Sequence, residues 1–501
     1  MTIVEKYKGK MIKKVSNTGI PKEEYNALVN QVAELKELVP NPARESKEKL
    51  YDMMLNKSYE VNESMLTNDL IDLITISFIN PNEIDHVANG AYHVAIVKKD
   101  GTLWTAGYNQ YGQLGLGDTT DRNTFTKVDI DNIKQVICGG MHMFVLKNDG
   151  TVYSCGNNQY GQLGLGDNTN RTTLTKVSVT NPQKIACGYE HTCILNSSGT
   201  VYSTGRNQSG QLGIGSKTNK TKFTYTSCSG VDISCGYEHS IALLSNGTIR
   251  VTGRNEDGES VLSSSTTPNT SFVEPYNQNK IKEVYCGKHT TLLLKTDNTL
   301  WACGYNACGQ AGVYGSKITP TQVATNVDKV FYADESTLML KLDGTLYAAG
   351  RNNAGQLGVG DTTNKTSFTQ ISGINNIKQM VTSLYTSFIL KNDGSILGTG
   401  NNTYGTLGLG DNDNRTSFVT IYEPEEYDPT EGMTVDEVRH FKLHNFLSGC
   451  DYDVSLDMTT EEMLYMLSVP GSRTIKLYDL MLNSGYDVNK DMDLDELFDL
   501  L

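Results

Sequence analysis

A glycine that ends a short apolar strand returns seven times, at Gly107, Gly156, Gly205, Gly253, Gly304, Gly350 and Gly400, with spacings of 49, 49, 48, 51, 46 and 50 residues. A period near 50 without helical patterning restricts the chain to repeated small sheets, arranged radially or as a solenoid. The second unit shows what one repeat contains. IKQVICG alternates as a short strand, MHMFVLK reads as a second, and Asn148-Asp149-Gly150 between Lys147 and Thr151 is a hairpin turn. TVYSCG makes a third strand, GNNQYGQLGLGD a glycine-rich loop, and TTLTKV a fourth strand of edge type. Four short strands are one propeller blade. The expected fold is therefore an all-β seven-bladed propeller over residues 81–425, with small helical modules on either side.

The loop carries a more specific signature. It reads GYNQYGQLGLGD from Gly107, GNNQYGQLGLGD from Gly156, GRNQSGQLGIGS from Gly205, GRNNAGQLGVGD from Gly350 and GNNTYGTLGLGD from Gly400. Preceded by an xxGxxHxxxLKxDGTLW pattern, these runs resemble the regulator of chromosome condensation repeat family. The resemblance implies a seven-bladed propeller. It also implies a choice of roles: nucleotide-exchange factor, ubiquitin-ligase module, secreted enzyme inhibitor, or cell-surface or viral binding module. Fold alone does not choose among them. The position before each strand-ending glycine, often aromatic in eukaryotic members, is here Ala106, Cys155, Thr204, Thr252, Cys303, Ala349 and Thr399.

Charge narrows the partners. Residues 423–501 hold 19 Asp and Glu against 5 Lys and Arg, a net of −14, which equals the net charge of the whole chain. A neutral propeller with an acidic tail lacks the basic footprint of a nucleic-acid binder. No run approaches the ~18 apolar residues of a membrane helix, and MTIVEKYKGKMIKK has no apolar signal core. GxSxG, GxxxxGK[ST] and HExxH are absent. These readings lead to a binder rather than an enzyme, with no cofactor, no nucleic acid and no membrane.

Candidate contacts come from columns where the repeat varies. Tyr111, Tyr160 and Tyr404 share a loop column that holds Ser209, Asp257 and Ala354 elsewhere, so the repeat does not require them. Loop aromatics with a polar tip suit stacking on a sugar or a protein. Repeats four to six lose the consensus: Glu259 replaces glutamine, repeat five reads GYNACGQAGVYGSK, and Tyr332-Ala333-Asp334-Glu335 stands for GxxH. Glu259, Asp334 and Glu335 thus mark a sector freed for a ligand. His93, His142, His191, His239 and His289 recur in the GxxH column, one per repeat, and are expected to hold each blade rather than a metal. Cys138, Cys187, Cys235 and Cys286 also share a column and read as reduced core residues.

The flanks differ in kind. KLYDMMLNKSYEVNESMLTNDLIDLI from Lys49, KLHNFLSGCDYDVSLDMTTEEMLYML from Lys442 and KLYDLMLNSGYDVNKDMDLDELFDLL from Lys476 resemble helix-extended-loop-helix motifs, within segments 46–80 and 426–501. Tyr25, Leu28, Val32, Leu35 and Val39 are spaced as a two-heptad coiled-coil seam inside segment 1–45, an assembly signal that needs partners. Together these features lead to the expectation of a tail-fibre or receptor-binding component of a phage or phage-like particle. Its N-terminus would meet other particle proteins, and a homo-oligomer is one possible form. Its propeller would meet a bacterial surface glycan or protein, and it would reside in the virion tail after assembly in the bacterial cytoplasm. The alternatives are a cytoplasmic protein-binding module of exchange-factor or enzyme-inhibitor type, or a secreted adhesion effector.

Overall fold

Within each repeat the apolar residues are concentrated in the second strand. HVAIVK, HMFVLK, HTCILN and TTLLLK are buried on both faces, whereas the fourth strands, such as Arg122–Lys127, are half-exposed throughout. A strand buried on both sides must lie between two layers. In the computed structural model, which describes residues 82–424 apart from 262–267, 276–278 and 316, it does. Seven four-stranded antiparallel sheets form, each a meander of consecutive strands. They are blades 1 to 7, over residues 84–127, 133–177, 182–229, 232–273, 281–324, 327–371 and 377–422.

Each junction between neighbouring blades owns an apolar cluster. Phe144 and Leu146 of blade 2 meet Ile185 and Ile194 of blade 3, and Leu292 and Leu294 of blade 5 meet Val330 and Met339 of blade 6. Each such side chain, once buried, contributes about 1.5–3 kcal/mol. The ring closes by the same means: Phe388, Leu390, Ile396 and Leu407 of blade 7 pack on Ile84, Val87, Val94 and Ile96 of blade 1. Gln379 spans that seam, its Oε1 accepting from Val87 N–H at 3.1 Å and its Nε2 donating to Val87 O at 2.9 Å. A Cβ on Gly408 would lie 2.5 Å from the Phe125 ring of blade 1, so only glycine lets the last loop meet the first blade.

Strand register corrects two sequence alignments. Opposite Gly107, Gly156, Gly205 and Gly253 stand His93, His142, His191 and His239, but opposite Gly304, Gly350 and Gly400 stand Thr290, Ser336 and Thr386. His289 therefore precedes the histidine column, and the run in repeat six is Ala333-Asp334-Glu335-Ser336. Lys-His in one repeat resembles x-His in another, and only the backbone pairing resolves the one-residue slip. Tyr332 takes up the space that this change opens: a Cβ on Gly287 would meet its ring at 2.2 Å, whereas Gly188 and Gly236 face the imidazoles of their own blades. The seam Tyr25, Leu28, Val32, Leu35, Val39 and the helix-extended-loop-helix segments lie outside the described residues.

Candidate protein-binding face

Meandering blades give the ring two faces of different origin. One carries the hairpin turns between second and third strands. The other carries the loops between first and second and between third and fourth strands. The hairpin face repeats one chemistry seven times. Asp100, Asp149, Asn196, Asn246, Asp297, Asp343 and Asp393 each accept hydrogen bonds from the backbone N–H and hydroxyl two residues on, at Thr102, Thr151, Ser198, Thr248, Thr299, Thr345 and Ser395. This is turn chemistry that the hairpin itself demands.

The loop face also has a repeated frame, but it is buried. Asn109 Nδ2 donates to the carbonyls of Asp118 and Thr120, both at 3.1 Å, while its Oδ1 accepts from Leu114 N–H at 2.9 Å. Asn158, Asn207 and Asn352 repeat this pattern. Gln113, Gln162, Gln211, Gln310 and Gln356 each accept the N–H two residues before them. The asparagine amides and the glutamine oxygens are satisfied by the loops they enclose, which makes each loop a rigid platform.

On that frame sit two columns with constant backbone and changing side chains. The residue after each strand-ending glycine donates its N–H to the carbonyl of the residue just ahead of the second strand's first position. The pairs are Tyr108 to Tyr92, Asn157 to Met141, Arg206 to Glu190, Arg254 to Glu238, Tyr305 to His289, Arg351 to Glu335 and Asn401 to Tyr385, all at 2.8–2.9 Å. One bond geometry thus carries aromatic, apolar, cationic and anionic side chains. The fold needs the bond and does not dictate which side chain each position carries.

Two chemistries follow around the ring. Across the seam of blades 7 and 1, Tyr92 stacks on Tyr385 with centroids 4.8 Å apart, Tyr404 lies 5.4 Å from Tyr92 and 4.8 Å from Tyr108, and Tyr111 flanks Tyr108 at 6.2 Å. Over blades 3 to 6 the face is charged. Arg206 bridges Glu190 at 3.0 Å and Glu238 at 3.3 Å, and Glu335 lies between Lys288 at 3.3 Å and Arg351 at 2.8 Å. Tyr189 and Tyr237 stack at 4.2 Å at the mouth of the central channel. The channel cavity is about 70 Å³, lined by residues of all seven blades including Cys138, Cys187, Cys235, Cys286 and Asp334. Small-molecule pockets span roughly 300–1,000 Å³, so this face offers a surface rather than a pocket.

Of the residues singled out from sequence, Tyr111 and Tyr404 converge in the tyrosine cluster. Tyr160 lies apart, with the Arg206 guanidinium 5.7 Å from its ring centre. Asp334 and Glu335 sit together on the loop face. Burial, then the neighbouring Glu335 charge, pushes the Asp334 carboxyl up to about 6. Glu259 is fully buried: one oxygen accepts Asp257 N–H at 2.8 Å, as the glutamines do, and the other pairs with Arg254 at 2.6 Å. The sequence reading did not single out Tyr92, Tyr108, Tyr385, Tyr189 or Tyr237, nor the arginine column. Comparing the two x positions of GxxH and the position after each strand-ending glycine across repeats would have exposed them.

Similarities to known proteins agree with this architecture. An RCC1-like domain family matches residues 72–259, and the regulator of chromosome condensation (RCC1) repeat matches 281–310 and 343–390. Yeast RCC1 (Prp20), in a crystal structure with Kap60, superposes with a TM-score of 0.59 at 18% identity, over 68% of this chain and 88% of that one. Prp20p from Saccharomyces cerevisiae, in a study of its binding to Gsp1p and histones, gives 0.58 at 20% identity, over 66% and 88%. Human WBSCR16 gives 0.57 at 18% identity, over 68% and 96%. No curated protein sequence matches the chain. With one RCC1-like domain match and two repeat matches on a ring of seven four-stranded blades, residues 84–422 are an RCC1-like propeller.

Proposed function

We propose that this chain is a non-enzymatic protein-binding module that docks a partner protein on the loop face of its propeller, in the manner of an exchange factor or an enzyme inhibitor. The observation that carries this reading is the pair of variable columns. Seven copies of one backbone bond present Tyr, Met, Glu, His, Asn and Arg side chains, whereas the hairpin face repeats one side-chain-to-turn bond, at the same position in six blades and two residues earlier in blade 3. Clustered tyrosines beside arginines are the residue types that dominate interface energetics. The solved propellers of similar fold add support, since yeast Prp20 is described with Kap60 and with binding to Gsp1p and histones.

A particle-borne receptor-binding role would use the same face. Its specific support lies in the N-terminal segment and in composition, so the geometry favours the protein-docking reading. The test is affinity capture from the source cells with the full chain, a Tyr92→Ala/Tyr385→Ala variant, and an Asp149→Ala/Asp343→Ala variant of the hairpin face. A stoichiometric partner lost with the tyrosine variant and kept with the hairpin variant supports the reading. Binding of the full chain to intact bacterial cells, with no soluble partner, would replace it by the receptor-binding one.

A further inference from the structure

One junction in the ring departs from the other six beneath the loop face. The second residue after the column histidine or hydroxyl is Ala95, Phe144, Ile241, Leu292, Leu338 or Phe388 in six blades, and Cys193 in blade 3. That thiol points into the junction with blade 4, where it meets Cys235 at the end of the inner strand Asp232–Cys235. His191 closes the group. A ring nitrogen of His191 and the two sulfurs all lie within 4.8 Å of one another, and all three side chains are buried. Among the described residues this is the one convergence of three such donors. It is not the Cys-x-x-x-His spacing of Cys187 with His191, or of Cys235 with His239. The donors come from two blades and meet only because the ring brings them together.

A fourth donor lies between them. Ser240 Oγ is 2.8 Å from His191 Nε2 and 3.8 Å from the sulfurs of both Cys193 and Cys235. Zinc, with bonds of roughly 2.0–2.3 Å, holds its tetrahedral ligands about 3.3–3.8 Å apart, so the cluster needs only small side-chain adjustments to close on an ion. We propose that His191, Cys193 and Cys235, with the Ser240 hydroxyl as fourth donor, bind one divalent ion of the zinc class and pin blade 3 to blade 4.

The chemistry balances in a buried place. Two thiols lose their protons on binding, and two thiolates neutralise the ion, so the site carries no net charge into the core. Hydrogen bonding to Cys235, then burial, pushes the Cys193 thiol well up, so both the metal and a pH high enough to release the protons are needed. The ligands are chain neighbours of Glu190 and close to Tyr189 and Tyr237 on the face above. A bound ion would therefore stiffen the charged half of the docking surface.

The test uses the full chain, produced with zinc and kept reduced. Elemental analysis should find one zinc per chain. The stripped protein titrated with cobalt(II) should develop a thiolate-to-cobalt charge-transfer band that saturates at one equivalent. Cys193→Ile installs the residue that blade 4 carries at Ile241, and Cys235→Thr the one blade 7 carries at Thr382, so both keep the propeller, as checked by circular dichroism. Each should lose the band, while Cys155→Ala keeps it. A reduced wild-type chain with neither stoichiometric zinc nor the band would overturn the site. So would a Cys193→Ile variant that is folded and still binds one equivalent.

Discussion

The two faces of the propeller are built from the same seven repeats and follow opposite rules. On the hairpin face, all seven turns use one acid or amide that accepts from the hydroxyl two residues on, the pair sitting two positions earlier in blade 3 than elsewhere. On the loop face the shared chemistry is sunk below the surface, in the Asn and Gln frame and the buried histidines, and the side chains above it differ from blade to blade. A fold that repeats its surface bonds at one face and only its buried frame at the other has a surface to spare at the second. Function is read from that asymmetry.

Acid should separate the faces most strongly. Burial holds His142 and His239 down at about 3 and His93 at about 4, below the ordinary 6.5. The unfolded chain then takes up protons that the folded one cannot, so stability falls as pH drops through the window from 6.5 towards 4. Each of His142 and His239 costs on the order of 3 kcal/mol by pH 4. The hairpin carboxylates Asp149, Asp297 and Asp343 are held below their usual range chiefly by the bonds from their threonine hydroxyls, so their contribution is lost only at lower pH. Denaturant titrations from pH 7 to 4 should show the loss, and His142→Thr should flatten it. An unchanged slope in that variant would break the comparison.

Removal of one loop-frame amide comes next. Asn109→Ala deletes several buried hydrogen bonds and leaves carbonyls unpaired, at a cost of about 3 kcal/mol. Thermal unfolding measures it, and a cost no larger than that of Asp149→Ala on the hairpin face would deny the loop frame its role. For recognition, Tyr92→Ala/Tyr385→Ala should weaken a loop-face partner by about 2 kcal/mol, roughly 30-fold in Kd, with stability little changed. Isothermal titration checks it. The smallest effect is expected of Asp334→Asn. Because the Asp334 carboxyl is raised to about 6, it favours the folded state below that pH and loses this contribution as pH rises through it. The variant should therefore steepen the histidine-driven acid loss slightly.

Much of the fold is legible in the sequence because glycine needs are absolute: the strand-ending glycines set the blade count, and Asn109 and Gln113 with their copies announce a framed loop. The face is only half legible. Tyr111 and Tyr404 stand out within one column, but Tyr92 and Tyr385 meet through ring closure across most of the chain, which no local pattern reports. Glu259 looks released from the repeat yet occupies the glutamine's place with the same acceptor role, its extra charge met by Arg254. His289 misled for a simpler reason, since a single residue of register separates it from the column it resembles.

Hydrogen exchange of the full chain, alone and with its captured partner, tests the loop-face assignment most directly. Docking as proposed protects segments 90–92, 108–111, 189–190, 237–238, 384–385 and 401–404 and leaves the turns at 98–102, 147–151 and 391–395 unchanged. Protection confined to those turns would place the partner on the hairpin face and contradict the account.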